Sequence, residues 1–226
     1  MRPSLTLLLV LTIGHSTVVH IVTRGDARAR HVALTFDAGA DRGYALRILQ
    51  TLERNHVRAT FGMTGTWALA NRCLLRRMVR DGDALINHTY DHRSFTGLST
   101  RLGPLSTQQR SWEITHTEQI IHALVGRSTR PYFRPPYGDY DSATTALLGR
   151  LGYRYMVMWT VDSGGAAFLP AGAILQRCLD GVVPGAIVLM HVGIQSQDAF
   201  ALQPLITDLK RRGYAFVTVP ALLSRG

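Results

Sequence analysis

Eight short runs of β-branched and apolar residues, separated by longer stretches of helical period, constrain the fold of this 226-residue chain more than any other feature. The runs are STVVHIVT (16–23), HVALTF (31–36), VRATFGM (57–63), ALIN (84–87), PYFRP (131–135), YRYMVMWTV (153–161), GAIVLM (185–190) and YAFVTV (214–219). Between them, residues 42–55 place Ala45, Ile48, Leu49 and Leu52 on one helical face. Residues 67–82 do the same with Leu74, Leu75, Met78 and Val79 and stop at Gly82. Further helices are expected over 107–125, 142–151, 171–180 and 198–212, with Asp141 or Ser142 as an N-cap, and 93–106 reads as a long loop. Strand runs alternating with helices specify βα units around a parallel sheet, and the length suits one α/β domain. Apolar residues at 46% and charged residues at 18% describe a globular chain rather than a disordered one.

The formal charge of +10 is almost all arginine, since Lys210 is the sole lysine. A nucleic-acid surface would gather that charge on one face, whereas Arg76, Arg77, Arg80 and Arg211, Arg212 form short scattered groups of the kind that solvates helix faces, so no nucleic-acid partner is expected. Cys73 and Cys178 have no metal-binding spacing and read as two buried thiols or one long-range bridge. The apolar run from Leu5 to Ile13 behind Arg2 suits a signal-peptide core and is too short for a stable membrane span. The expectation is therefore a secreted or cell-envelope protein, with 1–16 a signal or membrane-proximal segment and 17–226 the folded domain. The A-x-A site at Ala27–Ala29 fits cleavage poorly, because it lies almost against the next strand.

The polar residues fall on this map in a telling way. Asp37, His88, Arg134, Asp162 and His191 each follow directly behind, or close, an apolar run. In parallel α/β folds, the C-terminal rim of the strands is where active sites assemble. One polar strand end means little; an acid, two histidines, an arginine and a second acid on five strands mark a reaction centre. His88 and His92 stand at i, i+4, a spacing that lets two imidazoles share a metal. A third ligand is needed, and the stretch LTFDAGAD (34–41), with Asp37 and Asp41, offers carboxylates.

The segments TFDAG (35–39), HTYDH (88–92), RPPYG (134–138), VDSGG (161–165) and LMH (189–191) together resemble the five motifs of the polysaccharide deacetylases, the NodB-homology domain of carbohydrate esterase family 4. The resemblance implies a distorted, incomplete (β/α) barrel of about seven parallel strands in a single domain. It also implies a hydrolase that uses one divalent metal ion, zinc first and cobalt, nickel or manganese as alternatives, to remove N-acetyl groups from a glycan such as peptidoglycan or chitin. Carried over by position, Asp37 resembles the catalytic base, His88 and His92 the metal ligands, and Arg134 the arginine bracing the base. His191 resembles the general acid, and Asp162 the carboxylate that orients and charges it. Backbone N–H groups around Tyr137 and Gly138 would receive the oxyanion.

Two positions depart from that pattern. The family's first motif has a second, metal-binding aspartate where this chain has Ala38, and Asp41 is the candidate replacement. The fourth motif has a second aspartate and a tryptophan where this chain has Gly165 and Ala166, which opens the groove. These losses keep two alternatives in view: a carbohydrate-binding homologue with weakened turnover, and a hydrolase of a small non-sugar C–N bond. Trp67, Trp112 and Trp159 stack on sugar rings or, as is commoner, pack at element surfaces.

Overall fold

The computed structural model describes residues 18–39 and 41–224. The signal-segment expectation for 1–16 therefore lies outside the described residues. Among the described residues nine strands form one sheet: β1 (His20–Val22), β2 (His31–Ala38), β3 (Thr60–Met63), β4 (Ala84–Asn87), β5 (Tyr132–Phe133), β6 (Tyr155–Val157), β7 (Val161–Asp162), β8 (Ala186–His191) and β9 (Ala215–Phe216). Their order is β1-β6-β5-β4-β3-β2-β8-β7, with β9 beside β2, and every pairing is parallel. Eight α-helices connect them: α1 (Ala45–Arg54), α2 (Gly65–Ala70), α3 (Arg72–Arg80), α4 (Thr107–Val125), α5 (Ser142–Arg150), α6 (Ala171–Gly181), α7 (Asp198–Arg211) and α8 (Val219–Leu223).

The order itself bends the sheet. Strands β6 and β7 stand near and at opposite ends of it, yet only Met158, Trp159 and Thr160 separate them in sequence. Three intervening residues reach no more than about 14 Å, so the two ends must curl toward each other. The result is the expected distorted, incomplete barrel; against the expected seven or so strands it has nine, one from each of the eight runs and a second from YRYMVMWTV, which breaks into two. Hydrogen bonds knit the seam: Met158 N–H donates to Val22 O (2.8 Å), Thr160 N–H to Ile187 O (2.8 Å), and Gly25 N–H to Gly185 O (2.8 Å).

Alternation along β2 sorts its side chains between two environments. Val32, Leu34, Phe36 and Ala38 join the large core beneath the helices, packing with Ile48, Leu202, Leu205 and Ile206. Ala33 points into the barrel with Ile86, Val157 and Ile187. Thr35 and Asp37 share that inner side, which lifts polar groups toward the rim. Burying such aliphatic chains contributes about 1.5–3 kcal/mol each, enough to fix the register that places Asp37 opposite His191.

Asp141 is the N-cap of α5, its carboxylate accepting the Thr144 N–H at 2.8 Å. The expected helix over 67–82 is two helices, α2 and α3, interrupted at Asn71, whose backbone (φ −123°, ψ 41°) is not helical. The YAFVTV run is a two-residue strand followed by α8, which Thr218 caps and Pro220 helps start. Both cysteines are free: Cys73 is exposed, Cys178 buried. Among the described residues no helix is long and apolar enough to cross a membrane.

Candidate active site

Asp37 and His191 lie side by side across the β2–β8 pair, at the C-terminal rim. Asp37 is buried, and Arg134, with no exposed surface, approaches from beneath. Arg134 Nη1 donates to Asp37 Oδ1 (2.8 Å) and to Thr35 Oγ1 (3.0 Å), Nε to Val157 O (2.8 Å), and Nη2 to Met158 O (3.2 Å). A guanidinium held by two backbone carbonyls cannot follow its partner, so it fixes the carboxylate. Burial is the largest influence and works to raise the Asp37 pKa, but the charge of Arg134 and smaller contributions from His88, His191 and the Arg134 hydrogen bond together outweigh it, and the group stays below the usual carboxylate range.

His88 follows β4. Its Nδ1 lies 2.8 Å from the Arg134 carbonyl. A carbonyl only accepts, so Nδ1 carries the proton and Nε2 is a bare lone pair. That Nε2 is buried and unpartnered, and it faces Asp37 Oδ2 at 3.5 Å. Burial keeps the His88 ring neutral by lowering its pKa. Two acceptors thus face each other with no proton between them, an arrangement that a cation satisfies. His92 lies beside His88, ring centroids 4.9 Å apart at 70°, with its pKa pushed down to about 3 by burial and then by His88. The loop carrying the pair is not a helical turn: Thr89 and His92 both have φ of 66°. Glu113 on α4 holds it, its Oε2 accepting from Tyr90 N–H (2.8 Å) and Asp91 N–H (3.2 Å).

The donor set fits a divalent ion at two positions, through the nitrogens of His88 and His92. The third is different. Ala38 is buried in the helix-side core, and the Asp41 carboxylate accepts the Ile194 N–H at 3.0 Å. Among the described residues no group of three or more His, Cys, Asp and Glu is arranged to hold a metal, and the Asp41 carboxylate, the candidate replacement at Ala38, is engaged by Ile194 N–H instead. The peptide geometry explains this: Asp41 lies past the end of β2 and its exposed side chain serves the 193–195 loop instead.

On the other side of the mouth, Tyr137 (φ 60°) and Gly138 (φ 69°) form a tight turn after β5. Glycine is required at 138, because a Cβ there would meet the Trp159 ring at 2.8 Å in a backbone conformation that side chains avoid. Tyr137 is exposed and stands edge-on to His92 at 4.7 Å. Asp139 ties this turn to the long loop by accepting the Ser94 and Thr96 hydroxyls. Asp162 accepts the Gly164 N–H at 2.8 Å, closing its own turn. The carboxylate nearest the His191 ring is instead that of Asp198, which sequence reasoning missed: Oδ2 lies 3.7 Å from Nδ1. The His191 pKa is raised, with burial opposing and Asp198, then Asp37, prevailing.

Two adjoining cavities, of about 540 and 280 Å3, share Asp37, His92, Tyr137, Ala166 and His191 as walls. His88, Gly138, Trp159 and Asp162 line the smaller, Asp41, Gly165 and Phe168 the larger. Of the predicted rim residues, Asp37, His88, Asp162 and His191 line this one mouth, while Arg134 is buried beneath it. Of the tryptophans, Trp67 is buried, Trp112 is half-exposed and stacked on His116, and Trp159 alone lines the cleft.

The family model described as polysaccharide deacetylase matches residues 24–156. The chain belongs to the polysaccharide deacetylase family. It is 32% identical over 197 residues to a peptidoglycan-N-acetylglucosamine deacetylase of Listeria monocytogenes, an alignment that takes in 85% of this chain and 39% of that protein. The chain thus spans well under half of that curated relative. Among solved structures, a peptidoglycan N-acetylglucosamine deacetylase in complex with a naphthalenyl-N-oxidanyl-benzamide superposes with a TM-score of 0.82 at 28% identity, covering 90% of this chain and 92% of the other. A structure described as a carbohydrate esterase family 4 pseudoenzyme from Bacillus anthracis superposes with a TM-score of 0.80 at 29% identity, covering 90% and 68%. The polysaccharide deacetylase fold is common to all three.

Proposed function

We propose that this polysaccharide deacetylase hydrolyses the N-acetyl group of an N-acetylhexosamine glycan, a peptidoglycan or chitin-like polymer, at the cell envelope. The observation that carries the reading is the Asp37–His191 pair at one mouth, with Arg134 fixing the first. Asp37, ionised, takes a proton from the attacking water as its oxygen bonds to the acetyl carbon. The tetrahedral oxyanion is received by a backbone amide. Gly138 N–H is bonded to Pro135 O at 3.2 Å, which leaves Tyr137 N–H as the donor of the two. His191 then gives the proton on Nε2 to the leaving nitrogen as the C–N bond breaks, since Nδ1 is turned toward Asp198. Acetate and a free sugar amine result. Asp162, on the same wall, adds a smaller charge contribution that keeps His191 cationic.

His88 and His92 would hold a divalent ion, zinc first. Such an ion polarises an amide carbonyl and lowers the pKa of a bound water toward about 7 in favourable sites. The relatives' names support a glycan in the cell wall as substrate. The test is acetate release from acetylated chito-oligosaccharides and peptidoglycan fragments in the presence of zinc, against an Asp37→Asn, His191→Ala double variant. Release no greater than that of the double variant would remove the enzymatic reading. A second reading has a specific observation behind it: Ala38 leaves the metal one protein ligand short, and a similar structure is described as a pseudoenzyme. A binding protein of that kind would retain glycan, indifferent to chelator, without forming acetate.

A further inference from the structure

The polysaccharide deacetylase pattern places a carboxylate at the position of Gly165, and this chain has lost it. The space has not been left empty. A Cβ built on Gly165 would lie 2.0 Å from Asp198 Oδ2 and 2.5 Å from Ser196 Oγ, so the Asp198 carboxylate occupies the volume where a side chain at 165 would begin. Asp198 is the first residue of α7 and has no exposed surface. Its Oδ2 accepts from His191 N–H (2.8 Å) and Ser196 Oγ–H (2.7 Å). Its Oδ1 is buried without a partner, as is His191 Nδ1. A desolvated carboxylate with one oxygen free is costly unless a cation or donor stands close, and among the described residues the one ionisable cation within 4.0 Å of it is the His191 ring, whose Nδ1 lies 3.7 Å from Oδ2. A small ring rotation would bring Nδ1 from 3.7 Å to hydrogen-bond distance of Oδ2, and catalytic hydrogen bonds are often long before substrate binds.

We propose that Asp198 is the positioning residue for His191, a carboxylate supplied from the start of α7 in place of the one absent at position 165. The proposal rests on the deacetylase reading for its catalytic meaning, but not for its geometry. By accepting from Nδ1, Asp198 fixes the tautomer that leaves Nε2 toward the cleft. Asp37 on β2, Asp162 on β7, and His88 and His92 behind β4 also face His191. Among the described carboxylates, Asp198 is the one that comes within 4.0 Å of a His191 ring nitrogen. The raised pKa of His191 agrees, since burial alone would lower it.

The test is nitrogen NMR of His191 in protein labelled at histidine, with the signal assigned by its loss in His191→Gln. In the native chain the neutral ring is protonated on Nδ1. Asp198→Asn is expected to lower the midpoint of the His191 titration by on the order of one pH unit and to populate the other tautomer. Ser196→Ala takes one donor from the same carboxylate, and is expected to move the midpoint the opposite way. Gly165→Asp combined with Asp198→Gly returns the carboxylate from the other side and should restore the midpoint. In kinetics, Asp198→Asn should move the alkaline limb of kcat/KM down by the same amount and lower kcat about tenfold with KM little changed. If Asp198→Asn and Ser196→Ala both leave the His191 titration where it was, or Asp162→Asn moves it further than Asp198→Asn does, the proposal is wrong. Absence of acetate release from the native protein would sink the deacetylase reading, while the NMR titration would still decide the role of Asp198.

Discussion

At the scale of single residues, the site works by denying partners to selected atoms while over-supplying others. Arg134 has four hydrogen bonds and no exposed surface, whereas Nε2 of His88 has none. Replacing Arg134 by Met leaves Asp37 buried with its strongest compensating charge removed. Its pKa must then rise, so the ionised base is lost at higher pH and the acidic limb of the rate profile moves up. Breaking a buried pair from one side costs about 3 kcal/mol or more, which denaturant unfolding of Arg134→Met would measure beside the pH profile; an unmoved acidic limb would contradict the bracing role. The histidine pair gives a second residue-scale expectation. Zinc binding followed by calorimetry should fall at least tenfold in His88→Ala and in His92→Ala. It should be unchanged in Asp41→Asn, because that carboxylate is committed to Ile194 N–H. Loss of zinc affinity in Asp41→Asn would show that the loop rearranges to complete the ligand set.

At the scale of elements, the same logic of capped ends and satisfied carboxylates holds the rim in place. Asp141 caps α5 and also accepts from Arg110 Nη1 at 2.6 Å, a buried arginine of α4 that reaches across to the start of α5. Its pKa is lowered to about 2, first by that Arg110 hydrogen bond. The folded value lies below the unfolded value of 3.8, so the stabilisation is present above about pH 4 and disappears as pH falls through 2. Because the side chain is 39% exposed, solvent screens part of it. Asp141→Ala should therefore cost about 1–2 kcal/mol at neutral pH, and the gap between the two proteins should close in acid unfolding experiments. This cap was legible in the sequence, as were the strand ends carrying Asp37, His88, Arg134, Asp162 and His191, because strand period and rim position are both local patterns. What was not legible depended on contacts distant in the chain. Asp198 reads as an ordinary acid in the first turn of a helix, and Glu113 as a mid-helix surface residue, yet both are buried by partners 7 and more than 20 residues away. The break at Asn71 and the start of α8 belong to a third kind: Thr218 and Pro220 spell a helix start, but the preceding β-branched residues mask it.

At the scale of the whole molecule, the cleft depends on a barrel that nearly closes. Its walls come from β2, β4, β5, β7 and β8 and from the turns behind them, and the seam at residues 158–160 keeps Trp159 and Asp162 facing Asp37 rather than splaying outward. Thr160 stands at that seam. Its hydroxyl donates to Thr23 O at 2.6 Å and accepts from Ile187 N–H at 3.1 Å, joining the edge near β1 to β8 across the gap in the sheet. Thr160→Val keeps the β-branched shape and removes both bonds. The side chain is exposed, so water replaces part of what is lost, and the expected cost is about 1 kcal/mol. The more telling readout is local: amide exchange at Ile187 and at residues 158–162 should accelerate, while exchange in β2 and β3 stays at its native rate. A uniform change across the sheet would mean that the seam has no separate opening motion. Acceleration confined to the seam, together with a raised KM and an unchanged kcat, would tie closure of the barrel to substrate binding and not to the proton transfers at Asp37 and His191.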